Sequence, residues 1–278
     1  MARLPPTERP HPDGAALSGR SLARSLSILH RGDAEAVRAV GRALRALARL
    51  AGLGGDRLAA GGRLVYAGAG TSGRLGALDA AECPPTFGVP PSRVVALVAG
   101  GRRALARAAE GAEDDRGAGR RAVRGARIGP EDLVIGISAS GTTPFTLAAL
   151  AEARTRGAAT ALISCAPAPR SAARYRVRLD TGPERIAGST RMKAGSATKM
   201  ALTLLSTGAM LRWGRVERGR MIDLRPGSEK LRRRAVRTVA ELGGATPGRS
   251  RAALARSGWS LRAALAALRA QRRPVRRR

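Results

Sequence analysis

The stretch from Gly62 to Pro91, GRLVYAGAGTSGRLGALDAAECPPTFGVPP, constrains the fold more than any other part of the chain. Leu64-Val65-Tyr66-Ala67 is a short apolar run and reads as a buried strand. Gly68, Gly70 and Gly73 then break the chain, and a helix is expected from about Arg74. Strand, glycine turn and helix together form a phosphate cradle. Glycines let backbone N–H groups approach an anion, and the helix N-terminus adds a partial positive charge. Gly70, Thr71 and Ser72 are therefore candidate anion ligands, with the two hydroxyls as further donors. At the far end of this helix stands Glu82, beside Cys83 and the stiff Pro84-Pro85 pair. A carboxylate there is expected near the bound anion.

The same glycines fit the dinucleotide fingerprint G-x-G-x-x-G. That reading requires an acid after the second strand to hold a ribose. The second strand, about 93–99, ends in Gly100-Gly101, with no acid there. A nicotinamide cofactor is excluded on this mismatch, and no other cofactor is implied.

Further apolar runs at 133–138, 160–165 and 176–180 show little alternation, as parallel strands covered on both faces do. Helices are expected near 74–82, 103–113 and 144–156, with a long one over 193–213. Upstream, Val37, Val40, Leu44, Leu47 and Leu50 make one apolar helix face. Asp33 is a candidate cap for it, and Gly52, Gly54 and Gly55 a candidate end. From about 229 the pattern changes to three short helices, 229–242, 247–256 and 259–270. The expectation is an α/β doubly wound parallel five-stranded sheet with an N-terminal helical arm and a small C-terminal three-helix domain. The divisions are 1–55, 56–225, 226–270 and a basic tail at 271–278. Residues 1–20 read as an irregular arm, disordered at least at its start.

Ligands of such a sheet bind at the carboxyl ends of its strands. Two more hydroxyl-rich turns fall there. Ser138, Ser140, Gly141 and Thr142 follow the third strand, and Ser189, Thr190, Arg191 and Lys193 precede the long helix. Singly, each turn is an ordinary helix cap. Converging at one sheet edge, the three make an anion site.

Composition narrows the chemistry. The formal charge is +31, and Lys193, Lys199 and Lys230 are the lysines among 51 basic residues. The arginines are scattered and aromatics make up 2%, so specific nucleic-acid recognition is not expected. Two cysteines and two histidines, the latter both upstream of the first strand, exclude a disulfide framework, a metal site and a histidine base in the core. Acid–base work then falls to carboxylates. No secretory signal pattern and no long apolar run occur, so a cytoplasmic protein without a membrane span is expected.

The blocks GAGTSGR and LDAAECPPTFGVPP resemble those of the N-acetylmuramic acid 6-phosphate etherases, members of the sugar isomerase (SIS) family. EGAEDD at 110–115, SASGTTPF at 138–145, GSTRMKAGSATK at 188–199 and LLSTGAML at 204–211 agree. Thr7-Glu8-Arg9 echoes an element of the etherase N-terminal arm. The resemblance covers roughly 35–235 and implies a SIS-type sheet, a sugar phosphate substrate and a homodimer. It also implies that Glu82 and Glu113 are the essential glutamates, with Glu82 as proton donor to the departing lactate and Glu113 as the second acid/base. The sequence leaves open which is acid and which base. Two departures stand out: Thr142 occupies a position where the etherases usually carry Arg, and Ser228 one where they carry Asn.

The implied reaction suits two carboxylates, whose pKa values a shared substrate can push apart. Competing implications of the same fold are a sugar-phosphate-sensing regulator and an aldose–ketose isomerase. The regulator needs a DNA-binding domain ahead of the sheet, where only about 60 residues stand. The isomerase has no use for the AECPPTFGVPP segment.

Overall fold

The computed structural model describes residues 4–168, 173–224 and 226–272. The chain divides into two compact units, one of residues 1–81 with 91–213, the other of 82–90 with 214–278. The expected basic tail lies outside the described residues from 273 onward, as do residues 1–3 of the arm.

The first unit opens with two single 3-10 turns, Pro6–Glu8 and Ala15–Leu17. Helix α1 then runs from Leu22 to Ala59, with the Ser21 side chain accepting from the Arg24 N–H. This helix is longer than the sequence pattern suggests. Asp33 lies inside it, and Gly52, Gly54 and Gly55 do not end it. Gly54 and Gly55 are instead points of close approach. A Cβ on Gly55 would come within 2.5 Å of the Arg212 side chain and 2.7 Å of the Ala209 carbonyl. The expected apolar face is also split. Val40, Leu47 and Leu50 are buried, whereas Val37 and Leu44 are exposed.

The sheet contains β1 (Leu64–Gly68), β2 (Val94–Val98), β3 (Leu133–Ser138), β4 (Ala159–Ser164) and β5 (Tyr175–Arg178). Their order is β2-β1-β3-β4-β5, all parallel, as the apolar runs predict. The helices between them are α2 (Gly70–Phe87), α3 (Arg103–Ala106), α4 (Arg116–Gly125) and α5 (Pro144–Thr155), followed by α6 (Lys193–Arg212). A helix expected over 103–113 is only the one turn of α3. Gly111 with φ +70 and the capping of α4 by Asp115, which accepts from the Ala118 N–H at 2.7 Å, give turns and a fresh helix start instead.

Alternating residues of the strands face two helical layers. Leu64 and Leu133 meet α1 at Gly54, and Tyr66 and Ile137 meet α2 at Gly76. Val65, Ala67 and Val134 cluster with Val123, Ala149 and Leu150 of α4 and α5. On the first face, buried Asp79 accepts from the Tyr66 hydroxyl at 2.7 Å and the Ser206 hydroxyl at 3.0 Å, linking β1, α2 and α6. The order reverses between β1 and β3, so the crevice opens where Gly68 and Ser138 end their strands.

In the second unit, the short strands β6 (Val216–Glu217) and β7 (Arg220–Met221) precede α7 (Glu229–Gly243), α8 (Pro247–Arg256) and α9 (Leu261–Arg272). Ser228 and Thr246 cap α7 and α8. Ala235, Val239, Leu254, Leu261 and Leu265 form the core. Segment 82–90 belongs here because Gly88, at φ +65, lies so close to Asp223 that a Cβ would meet its carbonyl.

Gly55 and Gly52 separate packing from propensity. Alanine favours a helix over glycine by about 1 kcal/mol, but overpacking costs about 1–3 kcal/mol. Gly55→Ala is expected to lower the melting temperature. Gly52→Ala, whose Cβ meets nothing within 4 Å, is expected to keep or raise it. Calorimetry on the two variants checks this, and equal behaviour would contradict the close approach.

Candidate functional site

A cavity of about 330 Å³ opens at the crevice between β1 and β3. Its first wall is the start of α2. A Cβ on Gly73 would stand 2.6 Å from the Gly68 carbonyl oxygen, and one on Gly68 2.9 Å from the Gly73 nitrogen. Only glycines let the helix begin this tightly against its strand. Gly70 takes φ +52, and the helix starts four residues earlier than expected. Gly70, Thr71 and Ser72 line the cavity with first-turn N–H groups that have no intrahelical partner.

The second wall is the turn after β3. Ser140 and Thr143 line the cavity. Ser138 is buried behind them, its hydroxyl 2.8 Å from the Thr143 hydroxyl and accepting from the Gly141 N–H at 3.0 Å. Thr142 is exposed, 2.8 Å from the Ser140 hydroxyl. Gly141 takes φ +75 and packs on Ala168, which makes the turn possible.

The third wall carries Gly188, Thr190, Ala194, Gly195 and Thr198. Buried Glu184 accepts from the N–H groups of Ala194 at 2.9 Å and Lys193 at 3.2 Å, closing the N-terminus of α6. Burial pushes its carboxyl above the usual range, which those N–H groups offset in part. Behind α6, burial pushes the Cys165 thiol up to about 11, so it is no thiolate nucleophile at neutral pH.

Lys193 and Arg191 do not face this cavity. They line a separate one of about 450 Å³ against α1, with Leu26 and Leu29. The Lys193 side chain is 3% exposed and its ammonium donates to Glu35 at 2.5 Å. Arg185 holds the same carboxylate in a two-pronged pair at 2.5 and 3.2 Å and also meets His11. Burial alone would raise the Glu35 carboxyl, but the hydrogen bonds from Arg185 and Lys193 win and hold it at about 2. Lys193, expected to contact a ligand, is thus paired with Glu35 and lines the second cavity rather than the first. Ser189 does not line the 330 Å³ cavity either. Its N–H donates to the Ile186 carbonyl at 3.0 Å.

Glu113 does line it. The Phe145 N–H donates to the Glu113 carbonyl at 2.9 Å, which seats this residue beside the start of α5. It also lines an adjoining cavity of about 290 Å³ with Ala69, Gly70 and Arg74. All lining residues belong to the first unit. Glu82 belongs to the second and is exposed, on the last turns of α2. The helix runs past its expected end at 82, through Pro84 and Pro85, to Phe87. Several lining residues lie outside the expected set, and the one carboxylate among them is Glu8, from the N-terminal arm. Its signal was the Thr7-Glu8-Arg9 run, which periodicity does not register.

Residues 52–154 match the family described as the glucokinase regulatory protein N-terminal SIS domain, and residues 121–208 match the SIS domain. An N-acetylmuramic acid 6-phosphate etherase of Rubrobacter xylanophilus is 46% identical, covering 94% of this chain and 88% of its own. That of Symbiobacterium thermophilum is 49% identical, with 87% and 81% covered. The chain belongs to the N-acetylmuramic acid 6-phosphate etherase family. The sheet resembles that of the E. coli CFT073 protein c3406 in complex with A5P, at TM-score 0.50 and 17% identity, over 72% of this chain and 97% of that one. This etherase-family chain therefore has the SIS fold, and no helix among its described residues is long and apolar enough to cross a membrane.

The Glu35 cluster has a pH signature. A carboxyl held at about 2 against an ordinary 4.5 contributes stability that is complete above about pH 4.5 and lost as pH falls towards 2. Glu35→Gln strands two buried cations, a loss of about 3–5 kcal/mol. The variant is expected to melt at least about 5 °C below the parent at neutral pH. The gap should narrow below about pH 4.5. A gap that stays constant down to pH 2 would show that the charge on Glu35 is not the cause.

Proposed function

We propose that this protein cleaves the D-lactyl ether of N-acetylmuramic acid 6-phosphate, giving N-acetylglucosamine 6-phosphate and D-lactate. The observation that carries the reading is the cavity between β1 and β3. It combines a helix N-terminus and several hydroxyls with a carboxylate, Glu113, in a chain of the etherase family. The substrate phosphate sits against Gly70, Thr71, Ser72 and Ser140. Ser138 and Gly141 hold Ser140 in place, and Thr190 closes the third side. Thr142, beside Ser140 and outside the cavity lining, supplies no guanidinium to the phosphate.

Ring opening exposes the C1 aldehyde, which acidifies the C2 hydrogen. A carboxylate removes that proton as the C3–O bond breaks, leaving a C2–C3 double bond. A carboxylic acid protonates the departing lactate oxygen. Water then adds its hydroxyl to C3 and a proton returns to C2. Glu113 and Glu82 supply the acid and the base, Glu82 being the donor to lactate. Each well-placed group of this kind typically contributes about 10²–10⁴-fold.

The protein works as a two-fold homodimer in the cytoplasm, where phosphorylated sugars are retained. Two features support the pairing. Leu22, Leu26, Val37 and Leu44 of α1 and Leu204 and Leu211 of α6 expose large apolar side chains. Glu82 is exposed near the end of α2, so a partner's Glu82 can complete each site.

D-lactate release from the purified protein tests the reaction. Glu113→Gln and Glu82→Gln are each expected to lower kcat by at least about 100-fold. Mixing the two inactive chains after dissociation tests the pairing. One restored site in each mixed dimer should return about a quarter of the activity, given random two-fold assembly. Mixed dimers without activity would place both glutamates in one chain.

A further inference from the structure

Glu8 lies in the 3-10 turn Pro6–Glu8 and lines the same cavity as Thr71, Ser72, Ser140 and Glu113. Its position is held from both sides. Thr7 is fully buried, and its carbonyl accepts from the Gly188 N–H at 3.2 Å. Gly188, at φ +75, approaches so closely that a Cβ would stand 3.0 Å from Glu8 Oε2. Further along the arm, Asp13 lies 3.5 Å from Arg185 and 3.8 Å from Arg31, and the Ser25 hydroxyl donates to the Leu17 carbonyl at 3.0 Å. The arm is thereby fastened to α1 and to the segment that precedes α6.

A carboxylate beside a phosphate cradle works against anion binding, because like charges a few ångströms apart repel. It also makes no hydrogen bond or ion pair among the described residues that would account for it as a structural group. A sugar phosphate supplies what it lacks. The hydroxyls nearest the phosphate-bearing C6, that of the adjoining C5 once the ring opens and that of C4 one carbon further on, are donors within a few ångströms of the phosphate. A carboxylate is an acceptor-only group when ionised, and hydrogen bonds to it are stronger than neutral ones.

We infer that Glu8 is a substrate-contacting residue, whose carboxylate accepts hydrogen bonds from the sugar hydroxyls adjacent to the phosphate-bearing carbon. The N-terminal arm is then part of the active-site wall, and Glu8 separates a sugar phosphate from a bare phosphate ion. The choice of sugar rests on the etherase reading; the contact itself does not require ether cleavage.

The test is binding by calorimetry, with N-acetylglucosamine 6-phosphate and inorganic phosphate as the two probes, on the full chain and on Glu8→Gln and Glu8→Ala. Loss of a hydrogen bond to a charged group should weaken the sugar phosphate about 10- to 100-fold. Inorganic phosphate should bind unchanged or tighter, because a negative charge has left the cavity. Unchanged affinity for the sugar phosphate would overturn the inference. So would an equal loss for both probes, which marks Glu8 as a prop for the arm, or a parent protein that binds no N-acetylglucosamine 6-phosphate. If the binding pattern holds while the parent releases no D-lactate, the etherase reading fails and the role of Glu8 stands.

Discussion

Two buried cations, Arg185 and Lys193, share the single carboxylate of Glu35, and the site depends on that arrangement. Glu35 stands on α1, Arg185 in the loop before α6, and Lys193 on the first residue of α6. The cluster therefore sets the position of α6 along α1, and with it the third wall of the cavity. It also anchors the arm through His11 and Asp13. A buried pair is a poor source of net stability compared with apolar packing, but breaking it is costly. Its value here is positional, since the alternatives leave buried Lys193 without its ion pair and buried Arg185 with Asp13 alone.

Glycine decides the remaining distances. Gly54, Gly55 and Gly208 let α1 and α6 approach until backbone and Cβ atoms touch. Gly68 and Gly73 do the same for β1 and α2. In a chain with 2% aromatic residues, large side chains cannot fill wide gaps between layers. Close approach of helices bearing Ala, Val and Leu is the other way to exclude water, and dispersion contacts at that range add up. The same tight start of α2 is what aims unpaired N–H groups at the cavity, so the packing and the cavity's donor wall come from one local geometry.

This explains what was legible in the sequence. The strands were readable because parallel strands buried on both faces are short continuous apolar runs, as in Leu133–Ile137. The phosphate turns were readable because glycine and hydroxyl residues mark them. The extent of α1 was not, since Gly54 and Gly55 look like a helix end unless the partner helix is known. The turns from Glu110 to Glu113 were read as helix because alanine dominates the preceding residues, although Asp115, accepting from the Ala118 N–H, is a local signal for a fresh helix start. Lys193 looked like an anion ligand because its pairing with Glu35 spans 158 positions, beyond any local pattern. Glu82 drew attention by its place at the far end of the glycine-turn helix, but the roles of Glu82 and Glu113 came from resemblance, not from composition or spacing.

A cavity that must hold both a phosphate dianion and working carboxylates faces a conflict of charge. Among the described residues no lysine or arginine lines this cavity: Lys193 and Arg185 are paired with Glu35, and Arg191 lines a different cavity. The protein uses neutral donors instead: the first turn of α2 and hydroxyls of Thr71, Ser72, Ser140, Thr143 and Thr190. Such donors stabilise an anion through oriented dipoles without forming ion pairs with nearby carboxylates.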